Sequence, residues 1–249
     1  IVALSSVWAT TLATQTMAAD THWIIMVFTA LTVGAACGLV NGALIAYGRV
    51  APFIATLAML AAARGLAEII AQRRTQIVTS RDFIDFFGGS VLGVPVLVLI
   101  FALVAVIGWI LLNRTTFGRR TLAVGGNPEA ARLAGIKVQR QTMYLYILLG
   151  LACGLAAVMI MARTTTGTSA HGQLYELDAI AAVVIGGTLL SGGRATIVGT
   201  VFGVLIFTTL TNVFTLNNLD TSTQAVAKGI IIVAAVLLQQ RVASRRRAP

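Results

Sequence analysis

Apolar runs of about 20 residues recur along the whole chain and are separated by shorter polar segments. Eight runs can be counted, at 1–19, 23–47, 51–72, 92–113, 142–163, 174–191, 195–212 and 223–240. Because an α-helix rises about 1.5 Å per residue, a run of about 20 apolar residues crosses the ~30 Å hydrocarbon core of a bilayer. The pattern therefore predicts an all-α, polytopic membrane helical bundle with about eight crossings, organised as a single transmembrane domain over residues 1–249.

The composition agrees with this fold class and changes how the charge is interpreted. Hydrophobic residues make up 57% of the chain and charged residues 10%, whereas an ordinary soluble domain is about 25% charged. The net charge of +10 would suggest a nucleic-acid partner in a soluble protein. In a chain embedded in a lipid bilayer, the position of each cation matters more than the sum, and no nucleic-acid partner is expected.

The loop charges predict the orientation of the chain. Placing the Arg-rich C-terminal tail in the cytoplasm follows the positive-inside rule. The cytoplasmic loops then hold twelve cations and one acid, and the external loops hold three cations and six acids. The cytoplasmic cations are Arg49, Arg114, Arg119, Arg120, Arg132, Lys137, Arg140, Arg194, Arg241, Arg245, Arg246 and Arg247. Placing the tail in the cytoplasm thus gives every loop the charge that the positive-inside rule requires, so we expect a cytoplasmic C-terminus.

The run at 174–191 is shorter than the others and contains the glycine pairs Gly186–Gly187 and Gly192–Gly193. A re-entrant segment here would place the Arg-rich tail outside the cell. The charge distribution favours a crossing that begins near Gln173. Irregular backbone at its glycines is expected only where it is buried in protein or lines a cavity.

Glycines four residues apart predict close contacts between helices, because such small-residue faces allow helix backbones to approach in lipid. They are Gly34, Gly38 and Gly42, then Gly150 and Gly154, then Gly199 and Gly203.

Three charges lie inside predicted crossings, where each costs roughly 2.5–3.5 kcal/mol at the bilayer centre. Arg64 and Glu68 are one helical turn apart and can pair on one face of a helix, or they can line a cavity. Lys228 lies five residues into the last run, within reach of Asp220 or of the outer lipid headgroups.

The chain shows no enzyme signature. Neither Lys137 nor Lys228 occurs in the Gly-Lys-Ser/Thr context of a phosphate-binding loop. The two histidines, His22 and His171, are too far apart for metal-binding spacing and are expected to be solvated in external loops. We therefore expect no catalytic residue, no metal and no cofactor, and any nucleotide that powers transport must bind another chain.

The longest polar segment, residues 118–140, carries the signals of a short helix. Asn127 is a favourable N-cap, Pro128 suits the first helical position, and Glu129 complements the positive end of the helix dipole. Gly135 can end the helix in a left-handed conformation. We predict a helix of about two turns in a cytoplasmic loop that spans 114–141.

Two apolar side chains, Leu133 and Ile136, are expected to project from the small, Ala-rich surface of this helix. Such a shape suits docking into a groove of a partner protein. A solvated connector helix that binds nothing explains the same residues equally well.

Three stretches resemble one known family. Glu129-Ala130-Ala131, followed by Gly135, matches the EAA loop of ABC importer permeases, and the wider context GRRTLAVGGNPEAARLAGI is similar to that loop in ribose-type sugar permeases. Residues 41–67 and 176–207 are also similar to characteristic stretches of that family. Together the three stretches occur in the family's order and the resemblance covers essentially the whole chain.

The resemblance implies a permease subunit of an importer in the bacterial inner membrane. The implied partners are an ATP-binding subunit, a periplasmic or secreted sugar-binding protein and a second permease copy. It implies that the short helix couples the permease to the ATPase through Glu129, Ala130, Ala131, Arg132, Leu133 and Gly135. The substrate-pathway candidates are Asn41, Phe53, Thr56 and Thr188.

Family members carry further N-terminal sequence before the part that matches Ile1, so we expect the natural chain to be longer. The proposed cargo is a monosaccharide, a ribose-like pentose or a hexose. The alternatives are a branched-chain amino-acid permease of the same architecture, a self-contained secondary transporter, for which Glu68 is the available intramembrane acid, and a purely structural membrane subunit.

Overall fold

A computed structural model describes residues 1–12 and 23–245. It is built almost entirely from helices, which confirms the predicted fold class. The helices are α1 Val2–Thr11, α2 Trp23–Ala46, α3 Pro52–Ile70, α4 Arg81–Gly88, α5 Val96–Arg114, α6 Thr116–Gly126, α7 Pro128–Leu133, α8 Val138–Thr164, α9 Tyr175–Ile185, α10 Ile197–Leu216 and α11 Thr221–Arg245. Four two-residue strands complete it: β1 Gln76–Ile77, β2 Ser90–Val91, β3 Val94–Pro95 and β4 Thr166–Gly167.

Within residues 1–12 and 23–245, five helices are long and apolar enough to cross a membrane, namely α2, α3, α5, α8 and α10. Each coincides with a predicted run, so these five runs are confirmed. The run at 223–240 lies within α11. The run at 1–19 is described only as far as residue 12, and its remainder lies outside the described residues.

The run at 174–191 is helical over 175–185 and then irregular at its glycines. Its helix, α9, has 11 residues and is therefore about 16 Å long, roughly half of the hydrocarbon thickness. The helix ends at Gly186, and the chain then turns through Gly187, Gly192 and Gly193, which all have positive φ. Only glycine adopts this conformation without steric cost, so the glycines set the length of α9.

The described contacts divide the chain into two compact units. The first comprises Ile1–Ala102 and Lys137–Gly172, and the second comprises Leu103–Ile136 and Gln173–Pro249.

The central contact of the first unit joins α2 to α8. The backbone of Gly34 approaches Gly150 and Gly154, and that of Gly38 approaches Tyr146. A Cβ atom at these glycines would overlap backbone atoms of the opposite helix. The predicted packing role of the glycine-rich faces is therefore confirmed.

Aromatic side chains attach the short helix α4 to the first unit. Phe83 and Phe87 are buried, and their ring centroids are 4.8 Å apart. Trp23 at the start of α2 stacks on Phe86 at 4.8 Å and meets Phe87 edge-on. Offset and edge-on pairs of this kind add to the stabilisation from burying apolar area.

His171 is buried, so the prediction of a solvated imidazole is wrong for this residue. Its Nδ1 lies 3.3 Å from Ser6 Oγ of α1, and its Nε2 lies 3.3 Å from Thr164 Oγ1 at the end of α8. Burial lowers the pKa of the imidazole, because an apolar environment disfavours the charged form. His22 lies outside the described residues.

The second unit contains an antiparallel pair of helices, α9 and α10. Gly186 meets Gly199, and Ala182 meets Gly203. These two contacts set the register in which α9 lies along the N-terminal half of α10.

The glycine contact between α2 and α8 leads to a stability prediction. Gly38→Ala should lower the melting temperature of the protein in detergent, because its Cβ would overlap Tyr146 and an overpacked contact costs roughly 1–3 kcal/mol. Gly65→Ala on α3 is the matched control, since no atom lies within 4 Å of its added Cβ. A thermal-shift measurement of both variants checks this, and equal melting temperatures would contradict it.

Candidate functional site

The short helix predicted in the polar loop is present as α7. The Asn127 side chain caps its N-terminus by accepting a hydrogen bond from the Ala130 N–H at 3.0 Å. Pro128 occupies the first turn and Glu129 is its acidic residue. These are the capping features from which the helix was predicted.

The C-terminus of α7 is closed by two backbone hydrogen bonds. The Gly135 N–H donates to Arg132 O and the Ile136 N–H donates to Ala131 O, each at 3.0 Å. Gly135 has φ +80°, as the left-handed C-cap requires. The six-residue helix is therefore closed at both ends, which gives it a defined shape despite its length.

Most of the α7 surface is exposed. Leu133 is 88% exposed, and Glu129, Ala130, Arg132 and Gly135 are also exposed. Ala131 is buried, and α7 is in contact with α6. Ile136 is half-buried, so the apolar projection of the helix consists of Leu133 rather than of both side chains.

A second helix, α6, precedes α7 within the same loop and was not predicted from the sequence. Its N-terminus is capped by Thr115, whose hydroxyl accepts from the Gly118 N–H at 3.2 Å. The helix ends in Gly125 and Gly126, and these two glycines contact the backbone of Gly192 and Gly193. The glycines that made the segment resemble a loop are needed for this close contact.

The chain between α9 and α10 forms a turn over residues 186–196, which we call the glycine turn. The Thr196 N–H donates to Thr188 Oγ1 at 3.2 Å, and the Thr196 hydroxyl donates to Gly186 O at 2.9 Å. Thr188, a pathway candidate, is thus placed within the hydrogen bonding that closes the turn. The turn connects the end of α9 to α6 through the glycine contacts.

The other pathway candidates lie in the first unit. Asn41 on α2 is 4% exposed, and its Oδ1 has no hydrogen-bond partner among the described residues. Phe53 and Thr56 lie one turn apart on α3, where Phe53 is exposed and the Thr56 hydroxyl donates to Pro52 O at 2.9 Å. The structure therefore brings Phe53 and Thr56 together and places Thr188 in the second unit.

The intramembrane charges differ from the expected pairs. Lys228 Nζ lies 3.0 Å from both carboxylate oxygens of Asp178 and 5.4 Å from the centroid of the Phe207 ring. Asp220, the partner suggested by sequence, instead accepts a hydrogen bond from the Thr223 hydroxyl. The suggestion that Lys228 reaches Asp220 is therefore wrong, because the fold brings Asp178 closer.

Arg64 and Glu68 form no ion pair, although both lie within the described part of α3. Arg64 is half-buried and Glu68 is exposed. In residues 1–12 and 23–245, no group of three or more His, Cys, Asp or Glu side chains is arranged to hold a metal ion.

The capping of α7 predicts a local effect of substitution. Asn127→Ala should speed backbone hydrogen exchange at Ala130 and the following residues, because losing an N-cap costs about 1 kcal/mol of helix stability. Asn127→Asp retains an acceptor and should exchange like the parent chain. Hydrogen–deuterium exchange by mass spectrometry measures both, and equal exchange in the two variants would contradict the capping role.

Comparison with known proteins identifies the family. Residues 1–236 match the family described as the permease component of the branched-chain amino acid transport system. The chain is 47% identical to the ribose import permease protein RbsC of Bacillus subtilis over 203 residues, 81% of this chain and 63% of that protein. It is 39% identical to RbsC of Escherichia coli K12 over 226 residues, 89% of this chain and 70% of that protein.

A third relative, the L-arabinose ABC transporter permease protein AraH of Azospirillum brasilense, is 40% identical over 249 residues, which is 100% of this chain and 72% of that protein. No solved structure gives a significant match. Because the family match spans nearly the whole chain, the chain belongs to the membrane permease components of the branched-chain amino acid transport system family.

Proposed function

We propose that this chain is the membrane-spanning permease subunit of a bacterial ABC importer that carries a monosaccharide, a ribose-like pentose or a hexose, across the inner membrane. The support for sugar comes from the relatives, two of which are named as ribose permeases and one as an L-arabinose permease. ATP hydrolysis takes place in a separate subunit under this proposal.

The observation that carries the proposal is the geometry of α7. A helix of six residues is normally too short to keep its shape alone, but caps at both ends fix this one. Its exposed face presents the Leu133 side chain among small alanines. A short helix with one apolar projection fits a groove in a partner protein, and we assign that groove to the ATPase subunit.

The docking residues are Glu129, Ala130, Arg132 and Leu133 on the exposed side of α7. Ala131 and Gly135 have supporting roles, because Ala131 is buried and Gly135 closes the helix.

The glycine contacts supply a path from the ATPase to the membrane helices. Displacement of α7 would be transmitted to α6, with which it is in contact, and from Gly125 and Gly126 to the glycine turn. The turn joins α9 to α10, so a movement of α7 would reposition both helices. This is coupling by small rigid-body shifts of packed elements.

The remaining assembly follows from the same proposal. A second permease copy completes the pathway, and a periplasmic or secreted binding protein delivers the sugar. The basic residues of the α6–α7 loop and of the C-terminal tail belong on the cytoplasmic side by the positive-inside rule, and the same side holds the ATPase.

Two alternatives make different demands on the chain. A branched-chain amino-acid permease would share the fold and the α7 geometry but carry a different cargo. A secondary transporter would need an intramembrane acid free to bind a coupling ion. Glu68 is exposed on α3, whereas Asp178 is already paired with Lys228, so Glu68 is the candidate ion-binding acid of a secondary transporter.

A binding experiment tests the role of α7. Leu133→Asp should weaken the affinity of the detergent-solubilised permease for its ATPase subunit by roughly tenfold or more, because an apolar anchor at the centre of an interface is lost. Folding should be unaffected, since Leu133 is 88% exposed.

Leu92→Asp is the matched control. Leu92 is 99% exposed in the short hairpin between β2 and β3, outside α7. Biolayer interferometry compares the ATPase affinities of the two variants. Equal affinities, with both variants monodisperse, would show that α7 does not dock the ATPase.

A further inference from the structure

The ion pair joins Asp178 of α9 to Lys228 of α11 and lies level with the middle of the membrane-spanning helix α10, because Lys228 Nζ is 5.4 Å from the ring centroid of Phe207. The contacts of Gly186 with Gly199 and of Ala182 with Gly203 place Asp178 beside Phe207 in the same register. Phe207 is the eleventh of the 20 residues of α10, so it is about 15 Å from either end of that helix. The pair therefore lies near the depth of the bilayer centre.

The two charged side chains are only partly covered by the protein. Lys228 is 20% exposed and Asp178 is 31% exposed. A charge that faces lipid at this depth costs several kcal/mol, and charged residues inside membranes usually face a bundle interior or a water-filled pathway. The uncovered side of the pair therefore does not suit contact with lipid tails.

The pair also has unused hydrogen-bonding capacity. An ammonium group has three N–H donors, and Lys228 uses two of them for the carboxylate oxygens of Asp178. Each carboxylate oxygen can accept more than the one bond that it receives. One donor and several acceptor positions remain, which match the hydroxyl groups of a sugar because a hydroxyl donates and accepts.

Further polar side chains lie next to the pair. Tyr175 precedes Asp178 by one turn of α9 and is 50% exposed. Gln224 precedes Lys228 by four residues on α11 and is half-buried. Residues one turn apart share a helix face, so Tyr175 and Gln224 extend a polar strip along α9 and α11.

We propose that Asp178 and Lys228 form a sugar-contacting site at mid-depth of the translocation pathway, in which their spare donor and acceptors bind monosaccharide hydroxyls. The ring of Phe207, which is 4% exposed, lies against the Lys228 ammonium. Tyr175 and Gln224 lie one helical turn before the pair on α9 and α11. That the ligand is a monosaccharide rests on the proposed function. That the pair faces water rests on the structure alone.

Cysteine labelling tests whether the pair faces water. The background has Cys37 and Cys153 replaced by alanine and also carries Asp178→Asn, and the I230C variant additionally carries Lys228→Gln, so that neither variant holds an unpaired charge at this site. In this background the K228C thiol should react with a positively charged, membrane-impermeant methanethiosulfonate at least about tenfold faster than the I230C thiol. Ile230 is a matched control because it is apolar, 65% exposed and two residues further along α11.

Labelling of the permease alone requires neither ATPase nor sugar, so it succeeds or fails independently of the importer function. Equal, slow reaction of the two thiols would show that the pair faces lipid or is covered by a second copy of the chain, and would overturn the proposal. In the assembled transporter with its binding protein, ribose should slow the K228C reaction several-fold, and an unchanged rate would exclude sugar contact.

Paired substitutions separate sugar contact from a purely structural role. D178N/K228Q keeps neutral hydrogen-bonding groups, and D178L/K228L removes them, while neither leaves an unpaired charge. We expect the uptake rate of D178L/K228L to fall at least tenfold while its expression and melting temperature stay normal. D178N/K228Q should keep a large share of the parent uptake rate. Equal uptake by the two folded variants would show that the pair only holds the helices together.

Discussion

Contact between glycine backbones is the constraint on which the rest of the structure depends. In lipid, the hydrophobic effect does not favour helix–helix contacts over helix–lipid contacts, because lipid tails are as apolar as the helix surfaces. Helices therefore associate through close packing. Glycines on α2 and α8 bring these helices together in the first unit, and Gly186, Gly199 and Gly203 do the same for α9 and α10 in the second. A side chain at these positions would push the backbones apart, so each helix pair is specified by the absence of a Cβ atom.

The same kind of contact gives the second unit its proposed mechanical connection. Gly125 and Gly126 at the end of α6 meet Gly192 and Gly193 in the glycine turn, backbone to backbone. A contact without flexible side chains transmits displacement with little loss, since packed interfaces are poorly compressible. The short α9 ends at this turn, and near its other end it carries Asp178, which pairs with Lys228 of α11. Coupling to the ATPase and contact with sugar are therefore proposed at opposite ends of one 11-residue helix.

Sequence predicted the features that depend on local signals. The five spanning helices follow from run length, and α7 follows from Asn127, Pro128 and Gly135, whose capping preferences act within a few residues. The helix α6 was not predicted, because Gly125 and Gly126 weaken local helix propensity and are needed for a contact with Gly192 and Gly193, far along the chain. Nor do local patterns predict the pairing of Lys228 with Asp178, 50 positions away, or the burial of His171 against α1. Such contacts depend on helix register, which no local pattern encodes.

The most direct test of the account is sugar uptake by proteoliposomes that contain the full-length permease, its ATPase subunit and its binding protein, with Glu129→Arg compared with the parent protein. Glu129 is exposed in the first turn of α7, so its substitution should leave the permease folded and inserted. The account predicts ribose uptake that requires ATP and that collapses in the variant. Uptake that proceeds without ATP and is unaffected by the substitution would contradict it and would favour a secondary transporter.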